Sequence, residues 1–593
     1  MSIGILNMWR RLPAWGTCVA GLLTGVLLLR MGRYYTHADL LYLSISFLLE
    51  LVLLDLVTRF ALGVGNRWLR IVALVIPAAA GLVYVAQLYS AWLSGGLIPP
   101  IAFANQEVVG LIAFNGVYAM MGAYLLAFIA FAVAHRADEP RFSPRTSLAL
   151  LAMAAAVYAG MIHAQPLARG IVIARGEAPI SSFLRAYSTF ASMSGRAQLT
   201  AAELLEARAA FSRKKIYQQG FPAEMTASLP AKPNVIVIFT EGMSARWMDI
   251  YGSVNPYVTP NLDRLANGSL VITNYYNHTA ATFRGLRGQL TSGHQEIDGY
   301  NEEGTGIGQR DISGDITAVS RASIPDILRA QGYRSLFFLS QQEYINKMIE
   351  TLGFDRVLGR DYLYDTHVRG AEQGARPKYL SDTQLFDSML SELEAQPADT
   401  PFFAALYNFQ THAFLDGESK YGKGDNIVLN RFHTYDRDIG HFVERFMASR
   451  LHENTLLLFT ADHSTFPGPN AVAADNRVPG YFVDKIPLLI YWKGVEHRVI
   501  DVGGKNSLDL APSLLSLLGV EKAHNLFLGC TFFEQCDLDR VSNIGGEYIQ
   551  TDALGSYGDA DVPEALKPSF DHAKQTIERY KSMDLVIDTH QVM

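Results

Sequence analysis

Three short segments, far apart in the chain, carry residues that could build one metal-centred phosphoryl site. Glu241 ends the apolar run Asn234-Val235-Ile236-Val237-Ile238-Phe239-Thr240. The pair Asp462-His463 ends a second run, Leu456-Leu457-Leu458-Phe459-Thr460-Ala461. In an open α/β sheet, ligands bind beyond the carboxyl ends of the strands. Two strand ends can therefore bring two carboxylates and an imidazole to one point, a donor set that suits Mn2+ or Zn2+. Thr282, in the third segment His278–Arg287, would be the fourth ligand and the nucleophile. It opens an expected helix, and the free N–H groups of a helix N-terminus favour an anion such as phosphate. A threonine hydroxyl is a weak nucleophile at its own pKa, and metal coordination activates it.

Each residue also has a plainer reading. Glu241 could merely cap a strand, and Thr282 could be only a helix N-cap. Thr279 competes as nucleophile in the same loop. Arg284 and Arg287 would balance phosphate charge, or lie on the surface. His412 follows another strand-like run and could donate to a phosphate oxygen or protonate a leaving group, or serve a structural role.

The elements that must position these residues alternate from Asn234 onward. Strands are expected at 234–239, 269–273, 334–339, 402–408, 455–460 and 486–491. Thr259-Pro260 pairs an N-cap with proline at the first helical position. Further helices are expected at 282–291, 322–331, 343–352, 383–394, 428–449 and 507–518. Such alternation implies an α/β fold: a doubly wound, mainly parallel sheet with helices on both faces.

The first third differs. The chain has 593 residues, 49% of them hydrophobic, and the apolar excess lies almost entirely before residue 165. Five spans are expected: Ala14–Leu29, Leu40–Val57, Leu69–Trp92, Val108–Ala134 and Ser147–His163. The first and last approach the lower length limit for crossing a bilayer. Arg10 and Arg11 precede the first span; Arg59, Arg67 and Arg70 separate the second from the third. Arg136, Arg141 and Arg145 separate the fourth from the fifth. The positive-inside rule then sets the N-terminus in the cytoplasm and everything after span five outside. Arg30 and Arg33 depart mildly from that pattern. Glu50 and Asp55 fall within or near the spans; intramembrane carboxylates are functional candidates by default. Asp55 is expected to be solvated at a surface, and Glu50 to accept a structural hydrogen bond or serve a headgroup- or proton-related role.

The expected organisation is a transmembrane domain of five helices (1–165), a connector with one helix (166–232), and a catalytic domain (233–593). Thr200-Ala201-Ala202-Glu203 reads as a capping box that opens the connector helix, expected to run to Gln218. A net charge of −7 without a basic block argues against nucleic acid as a partner. The chain holds three cysteines. Cys530 and Cys536 lie close together in the part expected outside, where an oxidising compartment would allow a disulfide.

In these stretches the chain resembles the alkaline phosphatase and sulfatase superfamily, in its lipoteichoic acid synthase and membrane phosphoglycerol transferase branch. The stretches are Asn234–Glu241, Val258–Leu262, Thr282–Leu286, Ile324–Leu328 with Gly332-Tyr333, Leu352–Asp355, His412, Ala461–His463 and Phe527–Gly529. The resemblance covers about Pro233 to Phe533. It implies Glu241, Thr282, Asp462 and His463 as ligands of one divalent metal, Mn2+ favoured, with Zn2+ or Mg2+ compatible. It implies Thr282 as nucleophile and His412 as a substrate contact. Around Tyr344–Lys347 the aromatic-plus-arginine pattern of lipoteichoic acid synthases is missing, and Asn346 and Lys347 would take over there. The Cys530–Cys536 pair is also foreign to that branch. Sulfatases carry a Cys or Ser followed two residues later by Pro; here Thr282 has no such Pro, which disfavours sulfate-ester hydrolysis.

The expectation is therefore a bacterial inner-membrane enzyme with a periplasmic catalytic domain. It would move a phospholipid headgroup, phosphoglycerol from phosphatidylglycerol favoured, through Thr282 to a glycan acceptor. The rivals are a phosphoethanolamine transferase, a phosphodiesterase and a non-catalytic lipid or lipopolysaccharide sensor.

Overall fold

The structure, a computed structural model, describes residues 14–31, 37–94, 96–98, 103, 115–134, 177–194, 200–280, 282–294, 321–341, 346, 349–369, 376–479, 481–536, 538–544, 547–559 and 561–584. The chain divides into two compact units, Met1–Ser192 and Met193–Met593. The expected connector 166–232 is thus shared between them rather than standing alone.

The first unit holds helices α1 (Trp15–Met31), α2 (His37–Leu62), α3 (Arg67–Ser94), α4 (Asn115–Ala134) and α5 (Pro179–Ser194). Among the described residues, three helices are long and apolar enough to cross a membrane, within α2, α3 and α4. The expected first span forms α1, but its 17 residues fall short of that length. The fifth span, Ser147–His163, lies outside the described residues. Leu27, Phe47, Leu51, Tyr84, Leu88, Tyr124 and Phe128 form the interior of this unit. Leu22, Leu29, Phe60, Leu126 and Val133 stay exposed on outer faces, the inverted pattern that suits an apolar solvent.

Glu50 is buried and accepts hydrogen bonds from the backbone N–H groups of Ile180 (2.6 Å) and Ser181 (2.8 Å). It caps the N-terminus of α5, where free N–H groups and the helix dipole favour an anion. This is the structural reading of Glu50. Asp55 is not simply solvated: it accepts from Arg59 Nε at 2.8 Å and from the Ala14 N–H at 2.5 Å.

The second unit is built on eight strands: β1 (Asn234–Thr240), β2 (Leu270–Thr273), β3 (Arg334–Leu339), β4 (Arg356–Leu358), β5 (Phe402–Tyr407), β6 (Thr455–Ala461), β7 (Leu488–Tyr491) and β8 (Arg498–Asp501). Their order is β4-β3-β5-β1-β6-β7-β2-β8. All neighbours run parallel except β7, which is antiparallel to both β6 and β2. The mainly parallel expectation therefore holds with one reversed strand. The central strands β1, β5 and β6 are buried on both faces, which is why they read as unbroken apolar runs.

Helices α6 (Ala201–Phe211), α7 (Pro260–Ala266), α8 (Thr282–Thr291), α9 (Asp382–Glu394), α10 (Ile427–Ala448) and α11 (Leu510–Leu517) cover and flank the sheet. The Thr200–Glu203 capping box is present, but α6 ends at Phe211 instead of Gln218. Arg213–Lys215 then turns extended and pairs with Lys522–Asn525, since a backbone partner on the catalytic unit outweighs weak local helix preference. The expected helix at 343–352 lies largely outside the described residues. Strands β4 and β8 escaped the sequence because they are three and four residues long, too short for a period to show. So did a three-stranded antiparallel sheet at Val541–Ile544, Glu547–Thr551 and Ser556–Gly558.

A disulfide joins Cys530 and Cys536, with Cα atoms 6.3 Å apart. Phe532 within its loop packs edge-on against Tyr275 and Phe221, and Phe533 against Phe221. The loop thus pins residues before β1 to the back of the core. Closing so short a loop stabilises by about 2–3 kcal/mol. Cys530→Ser should therefore lower the melting temperature by several degrees and leave the secondary structure content unchanged. Both would be followed in one preparation, by calorimetry and circular dichroism; an unaltered melting temperature would contradict the pinning role.

Candidate active site

The β1 and β6 strands pair with Thr240 opposite Ala461. The next residue on each strand, Glu241 and Asp462, therefore emerges at the same sheet edge, with His463 beside them. All three are buried. His463 Nε2 lies 3.5 Å from Glu241 Oε1 and 3.4 Å from Asp462 Oδ2. One ligand atom from each residue lies within 4.8 Å of the others.

Their remaining polar atoms are held by backbone. Asp462 Oδ1 accepts from the N–H groups of Gly242 (2.8 Å) and His463 (2.7 Å), while Oδ2 is buried without a hydrogen-bond partner. His463 Nδ1 lies 2.8 Å from the carbonyl of Ser464. With the proton on Nδ1, the Nε2 lone pair points at the carboxylates, the tautomer that a metal ligand needs. Glu241 is clamped at its own peptide. Asn408 Oδ1 accepts from its N–H at 2.9 Å, and Thr411 Oγ1 donates to its carbonyl at 2.8 Å. Asn408 is in turn fixed by Nδ2 donation to Asp382 and to Thr411 Oγ1.

Thr282 is the first residue of α8, and its Oγ1 donates to Glu241 Oε2 at 2.9 Å. That hydroxyl faces the carboxylate cluster instead of accepting from its own helix, so it is not merely a cap. The competitor, Thr279, donates to the carbonyl of Asn543 at 2.7 Å and is committed there. Tyr407, at the end of β5, donates to Glu241 Oε2 and lies 3.2 Å from Thr282 Oγ1. Sequence reasoning missed it, because a tyrosine ending an apolar strand looks like core.

Helix α8 reaches this position through its small residues. A Cβ on Gly285 would come within 2.2 Å of the Asp462 carbonyl oxygen, and one on Gly288 within 1.9 Å of His278 Nε2. Gln289 Nε2 donates to the carbonyls of Ala461 and Asp462. Arg284 and Arg287 are both buried, which overturns the surface reading; the charge of Arg284 reaches His463. His412 is half-buried with Nδ1 2.9 Å from the Ala413 carbonyl, and it stacks on Phe409. Its charge and that of Glu241 act on each other. Asn346 lies against Gly359, with its Oδ1 buried and without a hydrogen-bond partner. Lys347 lies outside the described residues.

The electrostatics of the cluster suit a cationic partner. Burial and the nearby Glu241 carboxylate push Asp462 up to about 8. Burial alone would lower His463, but the charges of Asp462 and Glu241 outweigh it and raise it. Burial works to raise Glu241, yet His463, His412, Tyr407 and Thr282 together hold it below the usual range. Two carboxylates crowded in a low-dielectric site, one oxygen unpartnered, form a donor set that a divalent cation would satisfy.

Residues 233–520 match the family model described as Sulfatase. That segment is just under half of the chain, and the curated relatives it resembles include lipoteichoic acid synthases, phosphoglycerol transferases and an ulvan-active sulfatase of Formosa agariphila. Lipoteichoic acid synthase 2 of Bacillus subtilis is 23% identical over 362 residues, 57% of this chain and 53% of that protein. Phosphoglycerol transferase I of Xanthomonas campestris pv. campestris is 23% identical over 342 residues, 51% of this chain and 45% of that protein. A solved alkaline phosphatase superfamily protein from Vibrio parahaemolyticus aligns with TM-score 0.47 and 18% identity, over 66% of this chain and 98% of that one. The chain spans about half the length of the first of these relatives.

Metal uptake by this donor set should be pH-dependent, because ligands bind deprotonated. With Asp462 at about 8, protons compete below that pH. Affinity should fall by up to about tenfold per pH unit as the pH drops from 8 toward 6, with protons released on binding. Titration calorimetry in buffers of different ionisation enthalpy measures both. A second expectation concerns packing. Gly285→Ala should push α8 from the β6 end at a cost of about 1–3 kcal/mol and weaken metal binding, read from melting temperature and calorimetry together.

Proposed function

We propose that this protein is a metal-dependent membrane phosphotransferase. It would move a phospholipid headgroup, phosphoglycerol from phosphatidylglycerol favoured, to an envelope glycan through an intermediate on Thr282. The observation that carries the reading is the Thr282 hydroxyl, donated to Glu241 within the Glu241–Asp462–His463 cluster and set at a helix N-terminus. The names of the relatives, lipoteichoic acid synthase and phosphoglycerol transferase, support the substrate class.

Glu241, Thr282, Asp462 and His463 would hold one divalent metal, Mn2+ favoured, which when bound supplies Lewis-acid charge stabilisation. Thr282 Oγ attacks the phosphorus, and its P–O bond forms as the bond to diacylglycerol breaks. Glu241 Oε2, which already accepts the Thr282 hydroxyl, is in place to take that proton. His412, whose Nδ1 is held by the Ala413 carbonyl, would protonate the departing diacylglycerol oxygen from its imidazolium form, which burial disfavours and the Glu241 charge favours. The N–H groups at the start of α8 face the phosphoryl oxygens. A glycan hydroxyl then attacks the same phosphorus, its proton passing to His412, as the bond from phosphorus to Thr282 Oγ breaks and Glu241 returns its proton to Thr282. The apolar helices α2, α3 and α4 would hold the domain at a membrane, where its donor resides; the favoured location is the bacterial inner membrane with this domain in the periplasm.

Thr282→Ala should abolish diacylglycerol release from phosphatidylglycerol vesicles while the melting temperature and insertion persist. The wild type, quenched during turnover and digested, should carry phosphoglycerol mass on the peptide containing Thr282. Turnover near wild type in Thr282→Ala would sink the mechanism, and a different added mass would reassign the donor.

A further inference from the structure

One buried cation in the catalytic unit, Arg431, forms no ion pair with any of the described residues. Arg431, in the second turn of α10, is 3% exposed. Its Nε has no hydrogen-bond partner. Its guanidinium lies 5.1 Å from the ring of Phe432, which stacks on Trp247.

Its direction follows from the helix. Tyr435, one turn on, touches Thr240 Oγ1 through its hydroxyl at 2.7 Å. Thr240 is the last residue of β1, immediately before Glu241. Residues four apart share a helix face, so Arg431 lies on the same face one turn further toward the helix start. Its charge accordingly acts on both Glu241 and His412.

The acids within its electrostatic reach, Glu241 and Asp416, are already engaged. Glu241 accepts from Tyr407 and Thr282. Asp416 accepts from Lys420 and Asn430. Burial pushes the guanidinium down to about 10, so it remains a cation at neutral pH. An unpaired buried charge is expensive unless a partner of opposite sign completes it.

We propose that Arg431 is a substrate-binding residue whose guanidinium forms charge-assisted hydrogen bonds to the non-bridging oxygens of the donor's phosphodiester. The proposal deepens the phosphotransferase reading and rests on it for the identity of the donor, though not for the phosphate contact itself. The planar guanidinium matches two phosphoryl oxygens at once. It approaches from α10, whereas the N–H groups of α8 and the Glu241–Asp462–His463 cluster approach from other elements. The phosphoryl group would thus meet the Arg431 cation on one side and the N–H groups of α8 on another.

The test uses the full-length, metal-loaded protein in detergent, with sn-glycerol 1-phosphate and inorganic phosphate as probes in titration calorimetry. Arg431→Gln should bind both probes about 10- to 100-fold more weakly, with metal content and melting temperature retained. If Arg431→Gln does not fold, Arg431→Lys carries the test. It keeps the charge and loses the planar fork, and should bind several-fold more weakly at unchanged melting temperature. Wild-type affinity in either folded variant overturns the proposal. So does a wild type that binds neither probe, or a variant whose binding falls only in step with its metal content. Arg431-dependent phosphate binding in a protein that releases no diacylglycerol from phosphatidylglycerol would uphold this contact and overturn the proposed donor instead.

Discussion

The parallel register of β1 against β6 governs the rest of the site. Thr240 lies opposite Ala461, so the first residues past the two strands, Glu241 and Asp462, meet at one edge. A slip of one residue would turn one side chain to the other face of the sheet. Both strands are buried on both faces, so the core holds that register with many apolar contacts. The fold uses it to do something unfavourable: it presses two carboxylates together away from water. The elevated Asp462 and its unpartnered oxygen express that tension. A cation bound there would relieve it, so the strand pairing itself assembles a donor set that could hold a metal.

The second constraint is how closely α8 approaches. The nucleophile candidate sits on a helix, while its carboxylate partner sits on a strand end. Gly285 and Gly288 let the helix backbone touch the Asp462 peptide and the His278 ring, and Gln289 ties it there through two carbonyls. Any side chain at Gly285 would separate Thr282 from Glu241. Hydrogen bonds to backbone also fix the other members. Asn408 and Thr411 grip the Glu241 peptide from both sides, and Ser464 sets the His463 tautomer. Rigid positioning of this kind is what a phosphoryl-transfer site needs, since most of its catalysis is orientation and charge.

The membrane-facing unit solves a related problem in another medium. Glu50 is buried there, yet it closes the open N-terminus of α5 through two backbone N–H groups. A carboxylate in an apolar setting is thus explained by the orphan donors of a helix end. The same physics, carboxylate against backbone N–H, fixes Asp462 Oδ1 in the catalytic unit.

Much of this was legible in the sequence. The unbroken apolar runs of β1, β5 and β6 announced buried parallel strands, and Glu241 and Asp462-His463 at their ends announced a donor set. Helix α8 was readable to the residue, 282–291. Local pattern suffices there because burial on both faces, or one face of a helix, writes a period into the chain. Other features depended on tertiary contacts that leave no local period. The reversed β7, the short β4 and β8, and the early end of α6 were set by backbone partners distant in sequence. Nothing in the local sequence singles out Tyr407, which ends an apolar strand, or Arg431, which lies on a helix. Only packing reveals that one touches both Glu241 and Thr282 and that the other is buried with no ion pair among the described residues. Residue type and spacing could indicate which groups do chemistry. Which polar atoms remain unsatisfied when those groups meet depends on distances across the fold, and those are decided only when the chain has closed on itself.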